Sequence, residues 1–189
     1  LLGSRGLGDV YKRQLKYLPE GPEGPEVHTP EAFKKIYQVV KDSGYVGATM
    51  PTQYGGGGAP FTTAILAGEV GIASNMAFYM GPGLSHGAMK TILKKATEEL
   101  KDKYLPNLTS GEWMGTMCLT EPQCGTDLGL IKTTAKPVDN HYELNGQKIW
   151  ISFGEHDLTE NIIHLVLART PEAPAGIKGI SLFLVPKRL

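Results

Sequence analysis

The chain has 189 residues, 41% hydrophobic and 20% charged, a balance that can bury a sizeable core and excludes a disordered, highly charged polymer. Its 19 basic residues are matched by 19 acidic ones, so no overall field draws in nucleic acid or an anionic membrane, and neither is expected as a partner. The two cysteines, Cys118 and Cys124, match no zinc spacing and are expected to be free thiols in a reducing compartment.

No apolar run approaches the roughly 20 residues needed to span a bilayer, and the first 14 residues are too polar and glycine-broken for a signal peptide. A cytoplasmic protein without a membrane span is expected. Residues 1–14 show no periodicity and are expected to be non-native or disordered, and the stretch from Pro19 to Pro25 reads as a loop. Thr29 is placed to cap a first helix, with Pro30 in its first turn, Phe33, Ile36, Tyr37 and Val40 on one face, and Gly44 ending it. The four glycines at 55–58 allow a tight path. No Lys-Ser or Lys-Thr follows them, so a phosphate cradle is not the preferred reading.

From Ala59 to about Ala73 small and apolar residues, among them Ile65, Leu66, Val70 and Ile72, predict a mostly buried helix with Glu69 as its only charge. A short helix over Asn75 to Met80 comes next. Leu84, Ala88, Met89, Ile92 and Leu93 then mark an amphipathic helix ending at Lys94 and Lys95, where positive charge suits the negative helix end. Thr97 is placed to cap a last helix through Tyr104, stopped by Pro106.

After Gly111 the pattern changes to strands: Glu112 to Leu119, Ile131 to Val138, Tyr142 to Leu144, Gln147 to Ser152, Ile162 to Arg169 and Ile180 to Val185. Asn145-Gly146 is a hairpin signal. Helices first and strands afterward predict an α+β fold, with an N-terminal all-α domain over 15–112 and a β-barrel or sandwich domain over 113–189. The last strand has no closing element behind it, so that β-domain is expected to be incomplete.

Two segments carry candidate chemistry. In a strand after Asn145-Gly146, Lys148, Trp150 and Ser152 would share one face, placing an indole beside a hydroxyl as a surface for a planar cofactor. A Trp on a strand is also ordinary core packing. Residues 120–127 form a turn in which Pro122 stiffens the entry, Gly125 allows an unusual backbone angle, and Thr120, Thr126 and Asp127 flank the path. Such a turn can hold a pyrophosphate through amides and hydroxyls, or serve as a plain strand-to-loop connection.

Gly111 to Asp127 together with Lys148-Ile-Trp-Ile-Ser152 resembles the flavin-binding signature of the acyl-CoA dehydrogenases: an aliphatic-Thr-Glu-Pro turn, a Gly-Thr-Asp, then a Lys-x-Trp-Ile-Ser segment. Glu98 to Pro106 before it and Lys178 to Lys187 after it resemble the family too, so the likeness runs from about residue 30 to the end. Ser152 to His164 is similar to a longer subgroup that includes the 3-methylmercaptopropionyl-CoA dehydrogenases.

The resemblance implies FAD as cofactor, with Met117, Leu119 and Thr120 at the flavin ring and Thr120 bonding its pyrimidine edge. Gly125 and Thr126 would lie near the pyrophosphate, Thr126 also reaching the acyl-CoA substrate. Trp150 and Ile151 would pack at the ring system, and Ser152, in place of the family's usual Thr, would bond flavin N5. The implied reaction is α,β-dehydrogenation of an acyl-CoA to a trans-2-enoyl-CoA, with an electron-transfer flavoprotein as acceptor and a homodimer or homotetramer as the assembly.

The family's base sits in a C-terminal helical domain, expected to be absent here. Glu69, Glu121 and Glu155 match no base position, so no catalytic residue is named. Glu155, His156, Asp157 and His164 are placed in a loop and strand rather than at a metal. An acyl-CoA oxidase, or a non-catalytic acyl-CoA-binding or assembly protein of the same fold, are the rival readings.

Overall fold

Residues 27–188 are described by a computed structural model; the expectations for residues 1–14 and for the Pro19–Pro25 loop lie outside them. Helix α1 spans Glu31–Asp42 and starts behind Pro30, which offers no side-chain acceptor. Thr29 therefore does not cap it: its amide and hydroxyl go to Asp157 Oδ1 at 2.9 and 2.6 Å. Tyr37 is the buried residue of α1, and its hydroxyl donates to the Gly111 carbonyl at 2.8 Å. Phe33 meets Phe78 edge-on at 5.4 Å between centroids, while Ile36 lies exposed, at the margin of the expected face.

Helix α2 runs from Phe61 to Lys95, broken only at Asn75, whose backbone is non-helical (φ −161°, ψ 92°). The Asn75 side chain accepts from the Phe78 amide at 3.0 Å, the geometry of an N-cap, so the second half starts as a fresh helix. The three separate helices expected here are thus one kinked rod, the short and the amphipathic one merging in its second half. Its first half is not buried as expected: Ile65, Leu66, Val70 and Ile72 are all exposed. Composition set that expectation, but among the described residues the sheet lies under the second half, where Ala88, Met89 and Ile92 are buried.

By length and composition alone, α2 is long and apolar enough to cross a bilayer, a test that the core helix of a soluble protein also passes. Counting unbroken apolar runs overlooked this, because hydropathy averages across the small polar residues that interrupt them.

Helix α3, Glu98–Ser110, is capped as expected, with the Thr97 hydroxyl accepting from Leu100 N–H at 3.4 Å. It does not stop at Pro106. Leu105 and Leu108 on either side are fully buried; each is worth roughly 1.5–3 kcal/mol, enough to offset the roughly 3 kcal/mol cost of an interior proline. Gly111, at φ 80°, ends the helix in the left-handed conformation that favours glycine.

The strands are β1 (Trp113–Cys118), β2 (Thr134–Val138), β3 (His141–Asn145), β4 (Asn161–Ala168) and β5 (Ser181–Pro186). One sheet has the order β1-β4-β5, with β1 and β4 parallel and β4 and β5 antiparallel. β2 and β3 form a separate hairpin, linked to β4 where Ala135 N–H donates to Arg169 O and Arg169 N–H to Thr133 O. Among the described residues the strands do not close into a barrel.

The hairpin turn is Asp139-Asn140, since Val138 pairs with His141; Asn145-Gly146 is not a hairpin turn. Asp139 takes the left-handed conformation there. Gly146 answers a different need, because a Cβ on it would stand 2.4 Å from Thr133 Oγ1. The main core joins Val46, Met50 and Tyr54 to the second half of α2, to α3 and to Ile163 and Leu165 of β4. The helical layer thus covers one side of the sheet that ends in the candidate site.

Candidate cofactor site

In β1, Met114, Gly115, Thr116 and Cys118 are buried, while Met117 is 40% exposed. Leu119 and Thr120 follow, half-buried. Glu121 and Cys124 then exchange backbone hydrogen bonds of 2.8 and 3.0 Å, leaving Pro122 and Gln123 exposed at the tip. Gly125 and Thr126 come next, both exposed. Gly125 does not adopt the unusual backbone angle expected of it. It lies beside Thr120, whose methyl would be 3.7 Å from a Cβ built on the glycine. Asp127 caps the 3-10 turn Leu128–Leu130, accepting from Gly129 N–H at 3.1 Å.

The Lys148–Ser152 segment is irregular, not a strand. It lies along β1: Ile149 N–H donates to Thr120 O at 3.0 Å, and the Thr116 hydroxyl donates to Ser152 O at 2.7 Å. Trp150 takes φ 56°, and Phe153 takes φ 53°. This breaks the two-residue alternation, so the shared face expected for Lys148, Trp150 and Ser152 does not exist. Lys148 points inward, its ammonium on Leu119 O at 3.1 Å and Glu121 Oε1 at 2.8 Å, whereas Trp150 is 63% exposed. Ile151 and Ser152 are half-buried.

Glu121 is almost fully buried. Burial by itself would raise its pKa, yet hydrogen bonds from Lys148, from the Thr133 hydroxyl and amide, and from the Lys132 amide bring it down to about 2. A carboxylate so engaged is a poor proton acceptor, in keeping with its exclusion as base. Burial pushes the Cys118 thiol up to about 11, against the opposing charge of Lys148, so this free cysteine is no nucleophile at neutral pH.

Among the described residues no hydrogen bond engages the side-chain hydroxyls of Thr120, Thr126 or Ser152. Three free hydroxyls, an exposed indole and the exposed Met117 thioether fit a planar heteroaromatic group held by neutral donors. The structure brings residues 116–120, Gly125 and 148–152 together; Thr126 follows on the exposed side of the turn.

The loop after Ser152 is tied down at many points. Phe153 packs beside Met114 and Phe78. Glu155 pairs with Lys187, and Asp157 receives Thr29, His28 and Lys34. His164 Nε2 is 2.8 Å from Gly154 O and its Nδ1 3.3 Å from Val185 O. His156 is buried, with its Nε2 unpartnered.

A separate cavity of about 350 Å3 opens between the chain at 45–49 and α2, lined by Tyr45, Thr49, Phe61, Tyr79, Gly83 and His86 among others. None of the residues predicted for the site lines it.

Sequence reasoning missed the Glu121–Lys148 pair, the Thr116 bond to Ser152 and the part played by Thr133. One signal was there to be used: a lysine and a glutamate inside otherwise apolar motifs are costly unless they meet.

The fold and this surface define a class, an α+β protein with helices on one side of its sheet and an uncharged ring-and-hydroxyl surface along the edge of β1. A model described as the acyl-CoA dehydrogenase N-terminal domain matches residues 21–112, and one described as the acyl-CoA dehydrogenase middle domain matches residues 116–189. The chain belongs to the acyl-CoA dehydrogenase family.

It is 45% identical over 168 residues to a 3-methylmercaptopropionyl-CoA dehydrogenase of Ruegeria pomeroyi, covering 88% of this chain and 29% of that protein. A crystal structure of an acyl-CoA dehydrogenase from Geobacillus kaustophilus superposes with a TM-score of 0.72 at 26% identity, covering 97% of this chain and 44% of the other. One from Bacillus anthracis, complexed with FAD, gives a TM-score of 0.68 at 30% identity over 82% of this chain and 26% of the other. The chain therefore spans less than a third of the length of the Ruegeria relative.

Proposed function

We propose that this chain supplies the ring-facing half of the cofactor site of an FAD-dependent acyl-CoA dehydrogenase. The observation that carries the reading is the junction of residues 116–120 with the Lys148–Ser152 segment, where the Thr120 and Ser152 hydroxyls carry no hydrogen bond among the described residues and the Trp150 indole is exposed. Bound there, FAD would accept the hydride leaving the β-carbon of an acyl-CoA as a base takes the α-proton.

In this reading Thr120 would bond the pyrimidine edge, Met117 and Leu119 would line the ring, and Trp150 and Ile151 would pack against it. The Ser152 hydroxyl would be the donor to N5, where a preorganised donor stabilises developing negative charge. Gly125 and Thr126 would hold the pyrophosphate, and Thr126 would also reach the substrate. No base is assigned among these residues.

The 45% identity to the Ruegeria protein makes 3-methylmercaptopropionyl-CoA the first thioester to assay. We further propose an electron-transfer flavoprotein as the acceptor and a homo-oligomeric complete protein; oxygen reduction on acyl-CoA turnover would favour an oxidase instead.

The complete protein should purify yellow, and the acyl-CoA should bleach it. Replacing Trp150 and Ser152 together by Ala should weaken flavin retention or slow the bleaching. Wild-type binding and reduction in that double variant would remove both residues from the site.

A further inference from the structure

We propose that Glu121 and Lys148 form a positioning pair that holds the two cofactor-facing segments, 119–126 and 148–152, in register with each other; this rests on the cofactor reading above. The pair is buried, with side-chain exposures of 3% for Glu121 and 11% for Lys148. Lys148 grips the first segment twice, on Leu119 O at 3.1 Å and Glu121 Oε1 at 2.8 Å. The backbone repeats the link one residue along, from Ile149 N–H to Thr120 O.

Glu121 is itself anchored from a third direction. Thr133 donates to Oε1 through its amide at 3.0 Å and its hydroxyl at 2.5 Å, and the Lys132 amide donates to Oε2 at 2.7 Å. Gln123 Nε2 adds a bond to Oε2 at 2.5 Å from the turn's own tip. The stretch entering β2 thus fixes the carboxylate, the carboxylate fixes Lys148, and Lys148 fixes the approach to Trp150.

Stability alone does not explain such an arrangement. A buried ion pair generally gains little over well-packed apolar residues of the same volume, because desolvation cancels the attraction; specifying one register is its best-attested use. Here the register at stake decides where the Thr120 and Ser152 hydroxyls stand relative to each other. Neither Glu121 nor Lys148 needs to touch the cofactor for this.

The test uses the complete protein with Lys148→Met, Lys148→Arg and Glu121→Gln, reading FAD affinity, the flavin absorbance maximum and hydrogen exchange of peptides covering 119–126 and 147–152. Lys148→Met should weaken FAD binding at least tenfold and speed exchange in both peptides, with exchange of the α3 peptides unchanged; Lys148→Arg should restore most of both. If Lys148→Met does not fold, Glu121→Gln carries the same expectation: it keeps an acceptor for Thr133 while removing the charge and replacing the oxygen that accepts from the Lys132 amide with a donor.

Faster exchange with wild-type FAD affinity and absorbance would overturn the proposal, leaving the pair a plain structural contact. So would unchanged exchange in every variant. Wild-type protein that holds no flavin defeats the cofactor reading, and with it the proposal that rests on that reading.

Discussion

The Thr116 hydroxyl donates to the Ser152 carbonyl at 2.7 Å, from a side chain that is 1% exposed. A buried residue of β1 thereby holds the far end of the segment that Lys148 holds at its near end. Thr116→Val keeps the shape and leaves that carbonyl without its donor, a loss of about 1 kcal/mol. Urea unfolding should show it, and Thr116→Ser, which keeps the hydroxyl, should recover most of it.

Glu121 makes stability depend on pH in acid. Its folded-state pKa, about 2, lies below its ordinary 4.5, so its contribution is complete above pH 4.5 and is lost as pH falls from there toward 2. Thermal melts across that window should decline less steeply for Glu121→Gln than for the wild type. Parallel slopes would mean that the carboxylate is not held as described.

His156 acts in a different window. Burial lowers its pKa to about 4, with the Lys187 charge pushing the same way and Asp157 opposing. Its Nδ1 accepts from Leu158 N–H at 3.2 Å, so the proton of the neutral ring sits on the unpartnered Nε2. A depressed pKa means that the unfolded chain takes up the proton first, so stability falls as pH drops from 6.5 to about 4. His156→Leu should remove that slope, measured as the melting temperature of variant against wild type at pH 7, 5.5 and 4.5.

Gly111 joins α3 to β1 at φ 80°. A Cβ there would stand 3.1 Å from Lys41 Cγ and 3.3 Å from the Tyr37 hydroxyl. Gly111→Ala should destabilise the protein by about 1–2 kcal/mol, combining left-handed strain with crowding. The urea midpoint checks it, and Gly87→Ala, where nothing lies within 4 Å of the new methyl, is the control.

The order of elements was legible because it rests on local pattern: apolar spacing of 3.6 or 2, the Thr97 cap, the β-branched residues of β4 and the apolar run of β5. Three local signals were overridden by packing. Pro106 sits inside α3 because Leu105 and Leu108 are buried around it. Thr29 leaves its cap position for Asp157, 128 residues away, a partner no local rule can see. Gln147 to Ser152 reads as a strand by composition, yet Lys148 is drawn inward to Glu121, and Trp150 turns left-handed.

At the candidate site the proximity of Thr120 to the Lys148–Ser152 segment was legible and its geometry was not. The Thr-Glu-Pro turn and the Lys-x-Trp-Ile-Ser segment pointed to Thr120, Trp150 and Ser152 as a group. The bonds joining Lys148 to Glu121 and Thr116 to Ser152 link positions 27 and 36 residues apart. Their existence depends on how β1 is flanked, and periodicity carries no information about that.

The two motifs are separate in the chain but single in inheritance. Exchanging Glu121 for an apolar residue strands the Lys148 charge in the interior, and losing Lys148 strands the carboxylate. Either change alone is penalised, so the pair is expected to persist together or be replaced together, and recombination between positions 121 and 148 should preserve function only when both halves come from parents that agree there.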